Sequence, residues 1–391
     1  FSNPSSKIAN KPTGPAPIII TSVFSIMGFK YQLLLLFIYI ILIFMQFTDL
    51  NLNFHKPVML WLISLTVMVF LIIVIGGLTR LTDSGLSMVD WRPLLGTIPP
   101  LNQNQWLSVF NDYQLSPEFI YVNKNMTLEE FKYIFWWEWF HRFFARLIGI
   151  VFLIPFLYFF LKKYLNIFFY KRFTIIIILG LIQAFVGWWM VKSGLQNDPY
   201  VSAYRLTFHL SNAIIIYALL LWTSIEYFNL KSTGFLDFKS KKFLILISIL
   251  LVFITILSGG FMAGSHAGQS FNTYPLMNGK IIPDDIYLKE LGMLNLFENT
   301  ITINFNHRWI ATLTFIYTFS LFTLLFIKEF IQLSKLIICL VLFTLSLQFF
   351  LGIMALVSNV AIHYASLHQT NSVLLLSILL LAYFKSTIKK I

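Results

Sequence analysis

The sequence predicts an all-α membrane protein whose eight transmembrane helices form two tandem four-helix bundles. Three observations carry this. Of 391 residues, 58% are hydrophobic and only 11% charged, with a mean hydropathy of +0.78, whereas soluble globular chains carry about 25% charge. Apolar runs long enough to cross a bilayer recur along the chain. The second half of the chain also repeats the landmarks of the first in the same order.

Taken in order, charge-free runs lie at Val58–Thr79, Phe173–Val191, Leu206–Ile225, Phe243–Ala263, Trp309–Ile327, Leu336–Val357 and Tyr364–Phe384. The run Trp136–Leu161 joins them, although its start carries Glu138, His141, Arg142 and Arg146. A further run, Tyr31–Thr48, fits an extra N-terminal hydrophobic helix, a membrane-lying anchor or part of an import signal. The residues before it are rich in Ser, Asn, Lys and Pro, and no acid precedes Asp49, as in a leader region. The expected organisation is therefore a leader or extra hydrophobic segment over 1–57, an N-terminal four-helix half over 58–228, and a C-terminal four-helix half over 243–385.

The formal charge of +12 does not indicate nucleic acid, because the Lys and Arg residues sit in short loops between apolar spans. Four occupy 162–172, four 228–242, two 328–335 and three the C-terminal tail, against one in 192–204 and none in 358–363. The positive-inside rule places the richer loops in the matrix or cytoplasm. The long loops, roughly 80–135 and 264–305, then face outside and can cap what lies beneath. The single cysteine, Cys339, excludes an intramolecular disulfide or a cysteine metal cluster.

The repeat pairs Gly76-Gly77 with Gly259-Gly260, His141-Arg142 with His307-Arg308, Gln183 and Gly187 with Gln348 and Gly352, and His209 with His368. The offsets are 183, 166, 165 and 159 residues. An even number of helices per half inserts both halves the same way up, about an axis along the membrane normal.

Of seven histidines, His55, His266 and His363 lie in loops or at span edges. His141, His209, His307 and His368 lie in the second, fourth, sixth and eighth spans, each expected within about two turns of its helix start. That is about 10 Å or less from the outer surface. One such histidine reads as an interfacial or hydrogen-bonded core residue. Four at repeat-matched positions point to function, because ionisable groups inside a membrane are costly. Two imidazoles on facing helices can hold a haem iron from both sides. Arg142 and Arg308 then suit the haem propionates, or else reach for lipid headgroups. Glu138 shares a helix face with His141 and fits proton transfer or stabilisation of positive charge, or else a water-facing interfacial acid. The second half has Asn304 in its place, so one site reads as chemical and the other as structural or electron-carrying.

The chain resembles the heme A synthase family over about residues 58–385. The resemblance rests on the stretch from Gly76 to Trp91, Glu129-Glu130-Phe131-Lys132 running into Glu138-x-x-His141-Arg142, and Gln183-x-x-x-Gly187-Trp188 with Met190 to Leu195. It continues through Tyr204-Arg205-Leu206-x-x-His209, Ser258-Gly259-x-Phe261-x-Ala263-Gly264, Asn272-Thr273-x-Pro275, Phe297-Glu298-Asn299, Asn306-His307-Arg308 and Leu367-His368-Gln369. It implies successive hydroxylations that oxidise the C8 methyl of heme O to a formyl group, giving heme A for cytochrome c oxidase. It also implies a heme b held by His307 and His368, and heme O as substrate between His141 and His209, with Glu138 in catalysis. Heme O synthase and an electron donor such as a ferredoxin system follow as partners, with membrane lipid around the chain and homo-oligomerisation left open. The absence of a cysteine pair from the outer loops matches the cysteine-poor branch, so the expected location is the mitochondrial inner membrane, with an alphaproteobacterial plasma membrane as alternative. Position 266 is His where a different polar residue, often Asp, is expected. Competing readings are a cytochrome b-like membrane quinol redox protein, which often places two ligands on one helix, and a repeat-built transporter, which favours broken helices at the bilayer midplane.

Overall fold

The computed structural model describes residues 55–90, 95–196, 198–229, 242–329, 331 and 333–386. The run 31–48, nearly all of the 1–57 leader, Trp91 and most of the basic loop 228–242 lie outside them. Eight helices are long and apolar enough to cross a membrane: α1 (Lys56–Leu81), α2 (Leu128–Leu161), α3 (Ile167–Gly194), α4 (Ala203–Asn229), α5 (Phe243–Gly264), α6 (Thr300–Lys328), α7 (Lys335–Val357) and α8 (Ile362–Lys385). The chain is a multi-pass membrane protein, and no β-strand occurs among the described residues.

Local chemistry sets the helix starts. Pro57 stands in the first turn of α1, where its missing N–H costs nothing. The Asn166 side chain accepts from Phe169 N–H at 3.2 Å and begins α3. At α2, Thr127 and Glu130 form a capping box, with Thr127 N–H donating to Glu130 Oε2 at 2.8 Å. This box starts α2 eight residues before its apolar run. His141 consequently lies in the fourth turn of its helix rather than within the first two, although it remains near the outer end of the apolar stretch. His209, His307 and His368 do fall in the second or third turn.

Burial orders the helices from centre to rim. The most apolar stretch of α8 is 78% buried, that of α4 56% and that of α1 50%, against 11% for α2 and α3. Helices apolar all round and little buried by protein belong against lipid. Within the first four helices, α1 packs on α2 and α4, and α3 on α4. Within the last four, α5 packs on α6 and α8, and α7 on α6 and α8. Between the two sets, α4 meets α5, α8 meets α1, and α4 meets α8.

Lipid tails are as apolar as Leu, so these seams depend on close approach and hydrogen bonds. A Cβ on Gly264 of α5 would come within 2.6 Å of Ala203 Cα on α4. Tyr217 and Ser377 hydroxyls pair at 2.8 Å across α4 and α8, and Trp222 lies edge-on to Phe384 in the same seam. Near the opposite end from the capping loops, Arg172 of α3 pairs with buried Glu226 of α4, which removes the cost of an isolated intramembrane charge.

The loop between α1 and α2 folds as a cap. Its helices Gln103–Gln114 and Pro117–Tyr121 set Trp106, Phe110 and Tyr113 against Phe131, Ile134 and Phe135 of the extended first turns of α2. Glu118 is 5% exposed and accepts from the Tyr113 hydroxyl at 3.0 Å. Burial pushes its carboxyl up to about 8. This folded-state value lies above the ordinary 4.5. The cap therefore gains stability from protonated Glu118 at low pH and loses it as pH rises toward 8. Protection of 103–131 from proteolysis should fall between about pH 5 and about pH 9 in the native chain and stay level in Glu118→Gln. An identical decline in both proteins would rule out Glu118 as the cause.

Candidate functional site

Each of the four membrane histidines lies over a glycine of the preceding spanning helix. A Cβ at Gly76 of α1 would stand 3.1 Å from His141 Cε1 on α2, and one at Gly187 of α3 would stand 3.0 Å from His209 Cε1 on α4. The second half repeats this, with Gly259 of α5 under His307 of α6 at 3.4 Å and Gly352 of α7 under His368 of α8 at 2.8 Å. The recurring glycines are thus ring seats: a larger residue would push the imidazole out of place.

Polar neighbours then fix the rings. Gln348 lies with its Nε2 3.2 Å from His368 Nδ1, which is 3.1 Å from Gln348 O. Asn371 holds Gln348 by donating to its Oε1 at 2.9 Å and to Thr344 O at 2.9 Å. The first half repeats the lattice: Gln183 Nε2 reaches His209 Nε2 at 3.2 Å, and Asn212 donates to Gln183 Oε1 at 2.8 Å and to Leu179 O at 2.9 Å. Asn212 and Asn371 were not among the residues expected from sequence. Their signal was a repeated His-x-x-Asn, which puts the amide one turn beyond each histidine.

The halves differ around Nδ1. Ser258 Oγ lies 2.8 Å from His307 Nδ1, while the matching first-half position is Ile75. His141 Nδ1 and His209 Nδ1 are buried with no hydrogen-bond partner among the described residues. The second-half rings are therefore held at Nδ1 by outer partners, as lasting metal ligands commonly are, whereas in the first half the one ring contact, from Gln183, falls on His209 Nε2. His307 and His368 ring centres lie 6.5 Å apart with planes crossing at 82°. With metal–imidazole bonds of about 2 Å, one iron fits between two rings at this spacing. His141 and His209 take the equivalent seats, on Gly76 and Gly187, in the first half. The donor set thus fits two haem sites.

Glu138 is 2% exposed, so it is not a water-facing acid. Its Oε2 accepts from Ser87 Oγ at 2.7 Å and from Met88 N–H at 2.8 Å, and its Oε1 accepts from Arg142 at 2.5 Å. Arg142 also donates to Met88 O at 3.2 Å. In the second half Arg308 donates to Asn304 Oδ1 at 2.7 Å, Phe271 O at 2.6 Å and Thr273 O at 2.8 Å. Asn304 donates to Ala267 O at 2.8 Å. Both arginines therefore tie their helix to the loop above it, a task that sequence reasoning did not assign to them. Glu138 and Asn304 occupy equivalent places, one accepting from its loop and the other donating to it.

His266 stands outside this set. Its backbone is left-handed at φ 55°, its ring lies 4.9 Å from Tyr200, and Arg80 reaches its Nε2 at 2.8 Å while donating to Ala263 O at 2.7 Å. Burial and the Arg80 charge hold its imidazole below the ordinary range. This contact links the end of α1 to the end of α5. His55 stacks on Tyr164, and His363 opens α8, so neither joins the four.

The model of a family described as cytochrome oxidase assembly protein, COX15-CtaA, matches residues 59–380. A heme A synthase of Nitrosospira multiformis is 43% identical over 338 residues, covering 84% of this chain and 93% of that protein. One of Nitrosomonas eutropha is 43% identical over 328 residues, covering 82% and 91%. Heme A synthase COX15 of Arabidopsis thaliana is 39% identical over 341 residues, covering 84% and 74%. With eight spans, a repeated histidine-on-glycine seat and a match across nearly all of the described helices, the chain belongs to the COX15-CtaA cytochrome oxidase assembly family.

Proposed function

We propose that the chain is a heme A synthase, a membrane oxidoreductase that converts the C8 methyl of heme O to a formyl group through successive hydroxylations. The supporting observation is the asymmetry between two otherwise repeated histidine sites. Only the pair His307 and His368 has its Nδ1 atoms held by outer partners, and only the pair His141 and His209 has a carboxylate beside it. The second half, 243–385, then holds a resident heme b, and the first half, 58–228, receives heme O.

When bound, the haems supply the electron transfer and the oxygen chemistry. The chain supplies the rest. Ser258 and the Gln348 carbonyl fix the His307 and His368 tautomers with Nε2 as the ligating atom, and the Gln348 amide, 3.4 Å from His368 Nε2, would yield that atom to iron. The glycine seats hold all four rings at set depths. Glu138 places a fixed negative charge beside His141, which stabilises positive charge developing at the substrate edge. Its Oε2 can take up a proton and pass it to Ser87 Oγ, toward the cap. Arg142 and Arg308 hold the capping loops, and their remaining N–H groups suit propionate carboxylates.

A cytochrome b-like quinol protein fits less well, since each candidate ligand stands alone on its helix. Pigment extracted from membranes containing the chain and a source of heme O should show heme A. Unchanged heme O, with the protein present and its haem b bound, would overturn the proposal.

The caps face the outer side of the mitochondrial inner membrane or of an alphaproteobacterial plasma membrane. Heme O synthase and a ferredoxin-type donor act as partners. In a Cys339→Ser background, Lys163→Cys and Lys280→Cys should label from opposite sides of sealed vesicles. Labelling of both from one side would refute this orientation.

A further inference from the structure

The adjacent glycines of α1 face two different partners. Gly76 seats His141, and an added Cβ at Gly77 would stand 1.8 Å from Gln369 Oε1 of α8. Gln369 directly follows His368, and its Nε2 donates to Ile73 O of α1 at 2.8 Å. A contiguous line therefore runs from His141 through Gly76-Gly77 to Gln369 and His368, joining one site to the other. The matching seam between α5 and α4 is equally close but, among the described residues, carries no side-chain hydrogen bond across it at this point. Gly260 meets Thr207, 3.0 Å from a built Cβ, but the Thr207 hydroxyl bonds back to Ala203 O within its own helix, and His209 lies two residues further on.

We propose that Gln369 is a positioning residue for electron passage between the two sites. Its amide closes the α1–α8 seam and supplies a short bonded and hydrogen-bonded path, along which tunnelling decays more gently than across a gap. The proposal rests on the reading that both sites bind haem. One electron leaves ferrous iron held by His307 and His368 and reduces ferric iron held by His141 and His209. No bond or proton moves in this step, and an external one-electron donor restores the first iron.

The test uses purified chain carrying haem at both sites, with only the His141–His209 iron reduced and carbon monoxide bound to it as the probe in place of one of its two imidazoles, which rebinds when the probe leaves. A light flash releases the probe, and the electron returning to the second site is followed by absorbance. Gln369→Ala and the space-filling Gln369→Met should both slow this return at least tenfold, with haem content and the second-site low-spin spectrum unchanged. Thr207→Ala should stay within twofold of the native rate. A native rate in Gln369→Met, or equal slowing in Thr207→Ala, overturns the proposal. Should Gln369→Ala fail to fold, the Met variant, which keeps the seam filled, decides. A native protein that takes up haem at only one site sinks the functional reading, and this proposal with it.

Discussion

His307→Ala is expected to strip most of the haem b from the purified protein while leaving its eight helices in place. Two features make the effect large. His307 is one of only two side-chain ligands proposed for that iron, and its ring is held by Ser258 on one side and seated on Gly259 below. His141→Ala, the repeat-matched change in the other half, should leave the low-spin spectrum intact, which separates loss of a ligand from loss of fold. Removing only the outer partner, as in Ser258→Ala, should weaken haem retention by about 10- to 100-fold. Reduced-minus-oxidised spectra and haem-to-protein ratios measure all three. A full low-spin spectrum in His307→Ala would place the resident haem elsewhere.

Glu138→Gln is expected to lower heme A yield at least tenfold, about 1.4 kcal/mol or more in barrier, and to let heme O or a half-oxidised alcohol accumulate. The second half of the chain indicates why the fold should survive. At the equivalent place Asn304, 0% exposed, satisfies both of its ends, accepting from Arg308 and donating to Ala267 O. An amide can therefore sit between this arginine and its loop. With its oxygen kept toward Arg142, the introduced glutamine turns its NH2 to Ser87 Oγ, which can rotate to accept, and gives up only the bond from Met88 N–H. What the substitution removes is the charge. Native yield from a normally expressed variant would reduce Glu138 to a tie between α2 and the cap. Loss of haem b together with product would make it structural.

The spans and the four histidines were legible in the sequence because each depends on residue type alone. A charge-free run must enter the bilayer, and a histidine within one is conspicuous. The asymmetry of Glu138 against Asn304 was legible for the same reason. The role of the glycines was not, since a repeat match says where a residue recurs and not what it faces. Asn212 and Asn371 escaped notice because a lone amide in an apolar helix looks like an ordinary polar interruption until Gln183 and Gln348 are seen within reach. The arginines escaped for another reason. Their partners are the carbonyls of Met88 and Phe271, and the path of an irregular loop over a helix end is not written in local pattern. The depth of His141 in α2 was misjudged because the capping box at Thr127 lies upstream of the apolar run, in residues that read as loop.

The seams α1–α8 and α4–α5 are one interface used twice, since each joins the first helix of one half to the last helix of the other. In symmetry terms this is isologous contact: patch meets partner patch in both directions, and the assembly closes on itself. A closed pair leaves no copy of the joining surface at its rim. A third four-helix unit appended to the chain would find that surface already taken, so duplication by this geometry stops at two.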